Sequence, residues 1–119
     1  MIRPEIPLAG VIGDPIAHSA SPRLHGHWLR RYGLKGHYLP LHVTHAHLAD
    51  VLRILPHMGF VGVNITIPHK EYVLSLASQV SDRAALIGAA NTLTFLNDGR
   101  IQADNTDGVG FLENIRQNL

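Results

Sequence analysis

The segment VGVNITIPHKE, residues 61–71, has the composition of a buried β-strand that carries two polar residues. Asn64 and Thr66 stand two positions apart, so their side chains point to the same face of a strand. Lys70 follows just past Pro68, beyond the carboxyl end of the strand, which is where open α/β sheets bind ligands. The alternative is an edge strand with one solvated, polar face. The segments on either side of it decide between the two.

Strands and helices are predicted to alternate along most of the chain. Apolar runs and turn residues predict strands at residues 6–13, 37–43 and 60–67, with Pro40 placing the second strand at a sheet edge or a bulge. Helical spacing predicts helices at residues 23–32, 45–58 and 68–77. Thr44 is the expected N-cap of the second helix, and Pro56 is expected to distort its last turn.

The C-terminal third is predicted to add an antiparallel element. Ser81 can cap a short helix over residues 82–89 that Gly88 closes, and Asn97-Asp98-Gly99 is a strong hairpin signal between strands at 92–96 and 100–103. A last helix is expected from Asp107 to about Leu119. The fold class predicted is therefore three-layer α/β, with a mainly parallel sheet, helices on both faces and an antiparallel C-terminal hairpin.

Composition excludes several classes of function. The 119 residues suit one domain, and a formal charge of +1 with scattered basic residues disfavours nucleic acid as a partner. No apolar run reaches membrane-spanning length, and the absence of cysteine excludes disulfides and thiolate metal sites. A cytoplasmic protein is the expectation.

Nine histidines raise the question of a metal site. His25 and His27 are two apart on a predicted helix, and so are His45 and His47, which makes each pair diverge instead of converging on one ion. No HExxH pattern is present. Scattered surface or capping histidines are the better interpretation, and no metal site is predicted.

Two serines follow the first predicted strand, in the sequence His18-Ser19-Ala20-Ser21-Pro22. Their hydroxyls could converge on an anionic group in front of a helix N-terminus. The simpler interpretation is that Ser21 caps the helix, with Pro22 at its first position. Both can hold together.

Lys70 is expected in the first turn of its helix, where the helix dipole disfavours a cation. It is therefore either solvated and incidental or held by a carboxylate, for which Asp107 is the natural candidate. Such a pair would offer a proton donor and a group that keeps the donor oriented. Asn91 and Asn105 also stand at element boundaries, although Asn is common in turns and caps.

Taken together, HSASP, NITIPHK, GAANTL and NTDGVGF, in this order and spacing, resemble the substrate-binding domain of the shikimate dehydrogenases over nearly the whole chain. Enzymes of this family reduce 3-dehydroshikimate with NADPH in aromatic amino-acid biosynthesis. The resemblance implies that Ser19 and Ser21 hold the substrate carboxylate, that Asn64, Thr66, Asn91 and Asp107 contact its ring hydroxyls, and that Lys70 is the catalytic acid/base. Asp82 matches a position near the cofactor.

Two departures from the family pattern stand out. The chain has Gly26 where the family usually has asparagine after histidine, which affects local packing more than chemistry. The only glycine cluster, Gly108-Val109-Gly110, lacks the third glycine and the following βαβ unit of a dinucleotide fingerprint. We therefore expect residues 1–119 to form the shikimate-binding half, inactive alone, with the NADP-binding Rossmann domain absent. The alternatives are a quinate or aminoshikimate dehydrogenase domain, or a non-catalytic module that binds a hydroxylated cyclic acid.

Overall fold

The computed structural model describes residues 6–14 and 36–106. The predicted helices at 23–32 and from 107 onward lie outside the described residues. So do three of the candidate site residues, Ser19, Ser21 and Asp107.

One mixed sheet holds every strand of the described part. The strands are β1 (Leu8–Gly13), β2 (His37–His42), β3 (Phe60–Ile65), β4 (Gln79–Val80), β5 (Thr92–Phe95) and β6 (Ile101–Asp104), in the spatial order β2-β1-β3-β5-β6-β4. β1 is parallel to β2 and β3, and β4 is parallel to β6. β5 runs antiparallel to both β3 and β6. The predicted α/β class, mostly parallel with antiparallel C-terminal strands, is confirmed.

β2 lies at the edge, as Pro40 indicated, because an edge strand does not need the N–H that proline lacks. β4 was not predicted. It is two residues long and forms beside β6, where the neighbouring Ser78 and Ser81 amides donate to the carbonyls of Ile101 and Ala103. Such a strand has no sequence pattern of its own.

Three α-helices are described: α1 (His45–Ile54), α2 (Val73–Leu76) and α3 (Asp82–Ile87). As Pro56 suggested, α1 tightens into a 3-10 helix at Leu55–Met58. Thr44 stands at the N-cap of α1, but its hydroxyl lies 3.0 Å from Nδ1 of His47 and accepts no helix N–H. Ser81 caps α3 as predicted, accepting from the amide of Ala84, and Gly88 ends it with φ of 82°.

The prediction of a helix from Pro68 through Ala77 is wrong. Residues 66–72 form turns, and the helix covers only Val73–Leu76. The reason is a tertiary hydrogen bond: the carbonyl of Lys70 accepts from the amide of Ala90 at 2.9 Å, while Leu74 donates to Glu71 instead. Lys70 therefore does not sit in the first turn of a helix, and the dipole argument does not apply to it.

The main core lies on one face of the sheet. Alternate residues of the central strands, such as Ile12, Val63 and Leu93, pack with side chains of all three helices. The fully buried members include Leu48, Leu52, Val73 and Ala84. The opposite face of the sheet carries a smaller apolar cluster, in which Ala9 and Val61 pack against Tyr38. Asn64 and Thr92, which are polar and buried, lie on the same face.

Candidate functional site

Four of the described candidate residues, Asn64, Thr66, Lys70 and Asn91, lie at one end of the sheet, where β3 ends and β5 begins. β1, β3 and β6 run in the same direction and end there, whereas β5 begins there. The amide of Ile65 donates to the carbonyl of Asn91 at 2.8 Å, and the amide of Asn91 donates to the carbonyl of Asp104 at 3.0 Å. These bonds bring the segments after β3 and β6 against the segment before β5.

Asn64 is the buried centre of this edge. Its amide nitrogen donates to the carbonyl of Asn91 and to Oγ1 of Thr92, both at 3.2 Å. Its side-chain oxygen accepts from the hydroxyl of Tyr38 at 3.0 Å. A buried amide with partners on both sides is held in one orientation, because losing any of these bonds would leave a polar group unsatisfied. Asn64 and its partners Tyr38, Asn91 and Thr92 therefore form one fixed wall of the site, the Asn64 wall.

Asn91, 2% exposed, links that wall to the end of β6. Its side-chain oxygen accepts from the hydroxyl of Thr92 at 2.9 Å and from the amide and hydroxyl of Thr106 at 2.9 and 3.2 Å. Thr106 immediately precedes Asp107. Asn105 is held nearby, since its side-chain nitrogen donates to the carbonyl of Ala89 at 3.1 Å.

The turn that carries Lys70 is tied to the same place. The amide of Thr66 donates to the carbonyl of Ile12 at 2.9 Å, and the carbonyl of Lys70 accepts from Ala90, the neighbour of Asn91. Thr66 and Lys70 are both half-buried, so their side chains are more accessible than that of Asn64. Lys70 forms no ion pair within the described part of the chain.

Sequence reasoning missed Tyr38, which supports the wall from the edge strand. It lies on β2, 26 residues from its partner Asn64. Burial raises the pKa of its phenol above the usual range, so the hydroxyl remains a donor at neutral pH. Tyr38 shares a face with Asn64 because it pairs with Ala9, two residues before the Val11 that pairs with Asn64, and the sequence carries no signal of this register.

Asp104 is the second omission. It accepts hydrogen bonds from the side chain of Arg83, at both oxygens, from the hydroxyl of Ser81 at 2.7 Å and from the amide of Asn105 at 2.7 Å. The Arg83 guanidinium, more than any other group, lowers the pKa of Asp104 from 3.8 to about 2. This ion pair clamps α3 onto the strand that leads into Asn105 and Thr106.

Asp82 lies apart from the network. It is exposed in the first turn of α3, next to Arg83. A surface cleft of about 760 Å³ lies between the end of α1 and the β5–β6 turn, lined in part by His57, Leu76 and Asn97. None of the predicted site residues lines it.

Neither a metal cluster nor a membrane span is seen in the described ranges. Among residues 6–14 and 36–106, no three His, Asp or Glu side chains are grouped so that they could hold an ion. Within these same ranges, no helix is both long and apolar enough to cross a bilayer. The prediction that the protein has no metal site stays a prediction.

Most of the similar sequences and structures are shikimate dehydrogenases, and a 5-ketofructose reductase of Gluconobacter is also similar in structure, with 30% identity and a TM-score of 0.77. Over all 119 residues the chain is 76% identical to a shikimate dehydrogenase (NADP(+)) of Jannaschia, of which it covers 43%. A shikimate dehydrogenase structure from Aquifex aeolicus matches 98% of the chain and 44% of its own length, with 36% identity and a TM-score of 0.78. A Thermus thermophilus shikimate 5-dehydrogenase, solved in complex with NADP(H) and shikimate, matches 95% of the chain and 42% of its own length, with 37% identity and a TM-score of 0.76.

The chain thus spans less than half the length of these relatives. The sequence model of the shikimate dehydrogenase substrate binding domain matches residues 11–93, which hold the end of β1, the Asn64 wall, the Lys70 turn and Asn91. Since this match covers more than half of the chain, the chain is a member of the shikimate dehydrogenase substrate binding domain family.

Proposed function

We propose that this chain is the substrate-binding and acid/base half of an NADP-dependent shikimate dehydrogenase. The reaction is the reversible reduction of 3-dehydroshikimate to shikimate in aromatic amino-acid biosynthesis. One observation carries the proposal: residues 90–91 bind the Lys70 turn through the amide of Ala90 and bind Thr106 through the side chain of Asn91. These bonds tie the backbone of Lys70 to the same residues as Thr106, which supports the proposal that its side chain works with Asp107.

The proposed substrate contacts divide into two groups. Ser19 and Ser21 donate hydroxyl hydrogen bonds to the substrate carboxylate, as the family pattern implies. Thr66 offers a half-buried hydroxyl to the ring hydroxyls, while Asn64 and Asn91 act from the wall behind it. Because the side-chain oxygen and nitrogen of Asn64 are both bonded within the protein, its proposed role is to orient the wall that the ring hydroxyls contact.

Lys70 is the proposed catalytic acid/base. NADPH, when bound, supplies the hydride to the carbonyl carbon. The ammonium of Lys70 donates a proton to the ring oxygen as negative charge develops there, which stabilises the transition state more than the bound ketone. Asp107 keeps the lysine oriented and accepts a hydrogen bond from the reacting hydroxyl. In the oxidative direction Lys70 accepts the proton.

The described residues contain no phosphate-binding turn, so they could contact only the outer part of a bound dinucleotide. Their positive-φ glycines are Gly36 before β2, Gly59 and Gly88 at helix ends, and Gly99 in the hairpin, so none begins a helix as a phosphate-binding turn requires. The exposed carboxylate of Asp82 is suited to a ribose hydroxyl or an amide, and not to a phosphate. We propose that NADP is held mainly by a second, Rossmann-type domain of the full-length protein.

Steady-state kinetics of the full-length protein test this proposal. Lys70→Ala should lower kcat by about 10²–10⁴-fold with a much smaller change in KM, because general acid/base catalysis acts in the transition state. Ser19→Ala should raise KM and leave kcat closer to normal, since a carboxylate contact is made equally before and during the reaction. Arg100→Ala, at an exposed position of the hairpin, is the matched loss of a cation and should change neither constant.

Near-normal turnover of Lys70→Ala would remove that residue from the mechanism. Substrate profiles with shikimate, quinate and aminoshikimate, each with NADP and NAD, assign the substrate. If the full-length protein binds shikimate but oxidises none of the three, it is a binding module and the proposal fails. For the chain alone we expect no turnover and no measurable NADPH binding by fluorescence titration.

Location and assembly complete the proposal. We place the protein in the cytoplasm, without a nucleic-acid or membrane partner; the near-neutral formal charge of +1 supports the absence of a nucleic-acid partner. Two exposed apolar side chains, Ile54 at the end of α1 and Met58 in the 3-10 helix that follows it, favour self-association of the chain. Cell fractionation and sedimentation velocity test these two statements.

A further inference from the structure

His69, immediately before Lys70, is the most completely buried ionisable side chain of the described residues. It is 0% exposed, and its Nε2 lies 2.6 Å from the carbonyl oxygen of Val43. Since a carbonyl can only accept, the ring proton in this contact is on Nε2. The bond joins the Lys70 turn to the junction of β2 and α1, 26 residues earlier in the chain.

The other ring nitrogen, Nδ1, is buried and has no hydrogen-bond partner among residues 6–14 and 36–106. An unsatisfied buried polar atom is unfavourable, so packing alone would favour an apolar residue here. An apolar residue could not donate to Val43. The imidazole therefore contributes one directional hydrogen bond at a cost in stability, which is expected of a residue whose role is to position a neighbouring group.

Val43 is a firm anchor for this bond. It is 7% exposed, and its amide donates to the carbonyl of Gly13 at the end of β1. The backbone of the turn is also closed on itself, since the His69 amide donates to Thr66 and the amide of Val73 donates to the carbonyl of His69. The side chain of His69 is thus the link from the turn to the β2 side of the site, and the Lys70 carbonyl is the link to the Asn91 side.

We infer that His69 is a positioning residue for Lys70: its Nε2–H···O=C bond to Val43 sets where the lysine ammonium reaches the site. The inference rests on the proposed acid/base role of Lys70. His69 itself does not touch the reacting atoms. A lysine displaced by about 1 Å from its working position can cost on the order of 10²-fold in rate.

Two amide variants of the full-length protein separate this role from general polarity. In His69→Gln the amide nitrogen stands the same number of bonds from Cα as Nε2, so the bond to Val43 can be kept. In His69→Asn it stands where Nδ1 does, and the bond is lost. We expect His69→Gln to keep kcat within about threefold and His69→Asn to lose about 10- to 100-fold in kcat with little change in KM.

Leu52→Ala provides the control for simple destabilisation. Leu52 is 1% exposed in the core on α1, and its truncation should lower the melting temperature clearly. Measured below its melting temperature, this variant should keep kcat. If His69→Asn and His69→Gln have equal kcat, or if Leu52→Ala loses as much kcat as His69→Asn, the positioning role is refuted.

Hydrogen exchange keeps the test independent of catalysis. The amide of Ala90 is protected by the Lys70 carbonyl, so His69→Asn should speed its exchange, whereas His69→Gln should not. The Gly88 amide, bonded within α3 to Ala84, is the matched control and should be unchanged. Lys70→Ala distinguishes a failure of the proposed function from a failure of this inference. Normal turnover in Lys70→Ala overturns the proposed function. If Lys70→Ala loses turnover but His69→Asn keeps both its kcat and the exchange rate of the Ala90 amide, only the inference is overturned.

Discussion

Replacing Arg83 with methionine should destabilise the fold by an amount that depends on pH in a calculable way. Hydrogen bonds from Arg83 above all, and also from Ser81 and the Asn105 amide, hold the pKa of Asp104 at about 2 instead of 3.8. Each pKa unit corresponds to about 1.4 kcal/mol, so the shift sets an upper limit of about 2.5 kcal/mol at neutral pH. The side chains of Arg83 and Asp104 are 36% and 27% exposed. Solvent screening therefore reduces the expected loss to about 1–2 kcal/mol.

The sign of the pH dependence follows from the direction of the shift. Because the folded-state pKa of Asp104 lies below its unfolded value, the stabilisation is present above about pH 4 and is lost as the pH falls towards 2. By pH 3 about half of it should remain. The difference in unfolding free energy between wild type and Arg83→Met should therefore be largest near neutrality and shrink with acid.

Urea denaturation followed by circular dichroism, at several values between about pH 3 and 7, measures this difference. Arg53→Met is the control, because Arg53 pairs with Asp50 at a site where both side chains are at least 65% exposed. Its cost should stay below about 1 kcal/mol. A loss for Arg83→Met that is constant between pH 3 and 7 would refute the ion-pair explanation and leave only lost packing.

Two further predictions concern the edge strand β2. Tyr38→Phe should lower the free energy of unfolding by about 0.5–1.5 kcal/mol through the lost bond to Asn64. The tyrosinate absorbance that the protein gains between about pH 9 and 11 should be the same in the variant, because Tyr38 does not ionise in this range. A smaller gain in the variant would contradict the raised pKa of Tyr38. Gly10→Ala should lower the free energy of unfolding by about 3 kcal/mol or more, since the added Cβ would lie 2.4 Å from the carbonyl oxygen of Leu39 on β2. Gly99→Ala is the comparison: its Cβ meets open space, but φ is +88°, so the loss should be about 1–2 kcal/mol. Thermal melts measure both.

Features that depend on neighbouring residues could be predicted from the sequence. The β5–β6 hairpin follows from Asn97-Asp98-Gly99, the end of α3 from Gly88 and the edge position of β2 from Pro40. In each case the signal and the structure lie within a few residues. The gathering of Asn91 with the Lys70 turn did not follow from strand direction, because Asn91 precedes β5, which runs antiparallel to β3.

Features that depend on distant partners could not be predicted. β4 forms because β6 is beside it, and the Asn64 amide is oriented by Tyr38 from another strand. The helix expected after Pro68 fails for the same reason, since its signal was local and the hydrogen bond from Ala90 that displaces it comes from 20 residues away.

The failed helix changes how the site itself is understood. A lysine in a helical first turn would be placed by the helix and opposed by its dipole, so a carboxylate would be needed to hold it. In the structure the turn is held instead by bonds of the backbone and of His69, to Ile12, Val43 and Ala90. The described bonds thus tie the Lys70 backbone to three separate strands or strand ends. A change at Asp107 should therefore alter the orientation and reactivity of the ammonium, whereas a change at His69 should move the backbone from which it extends.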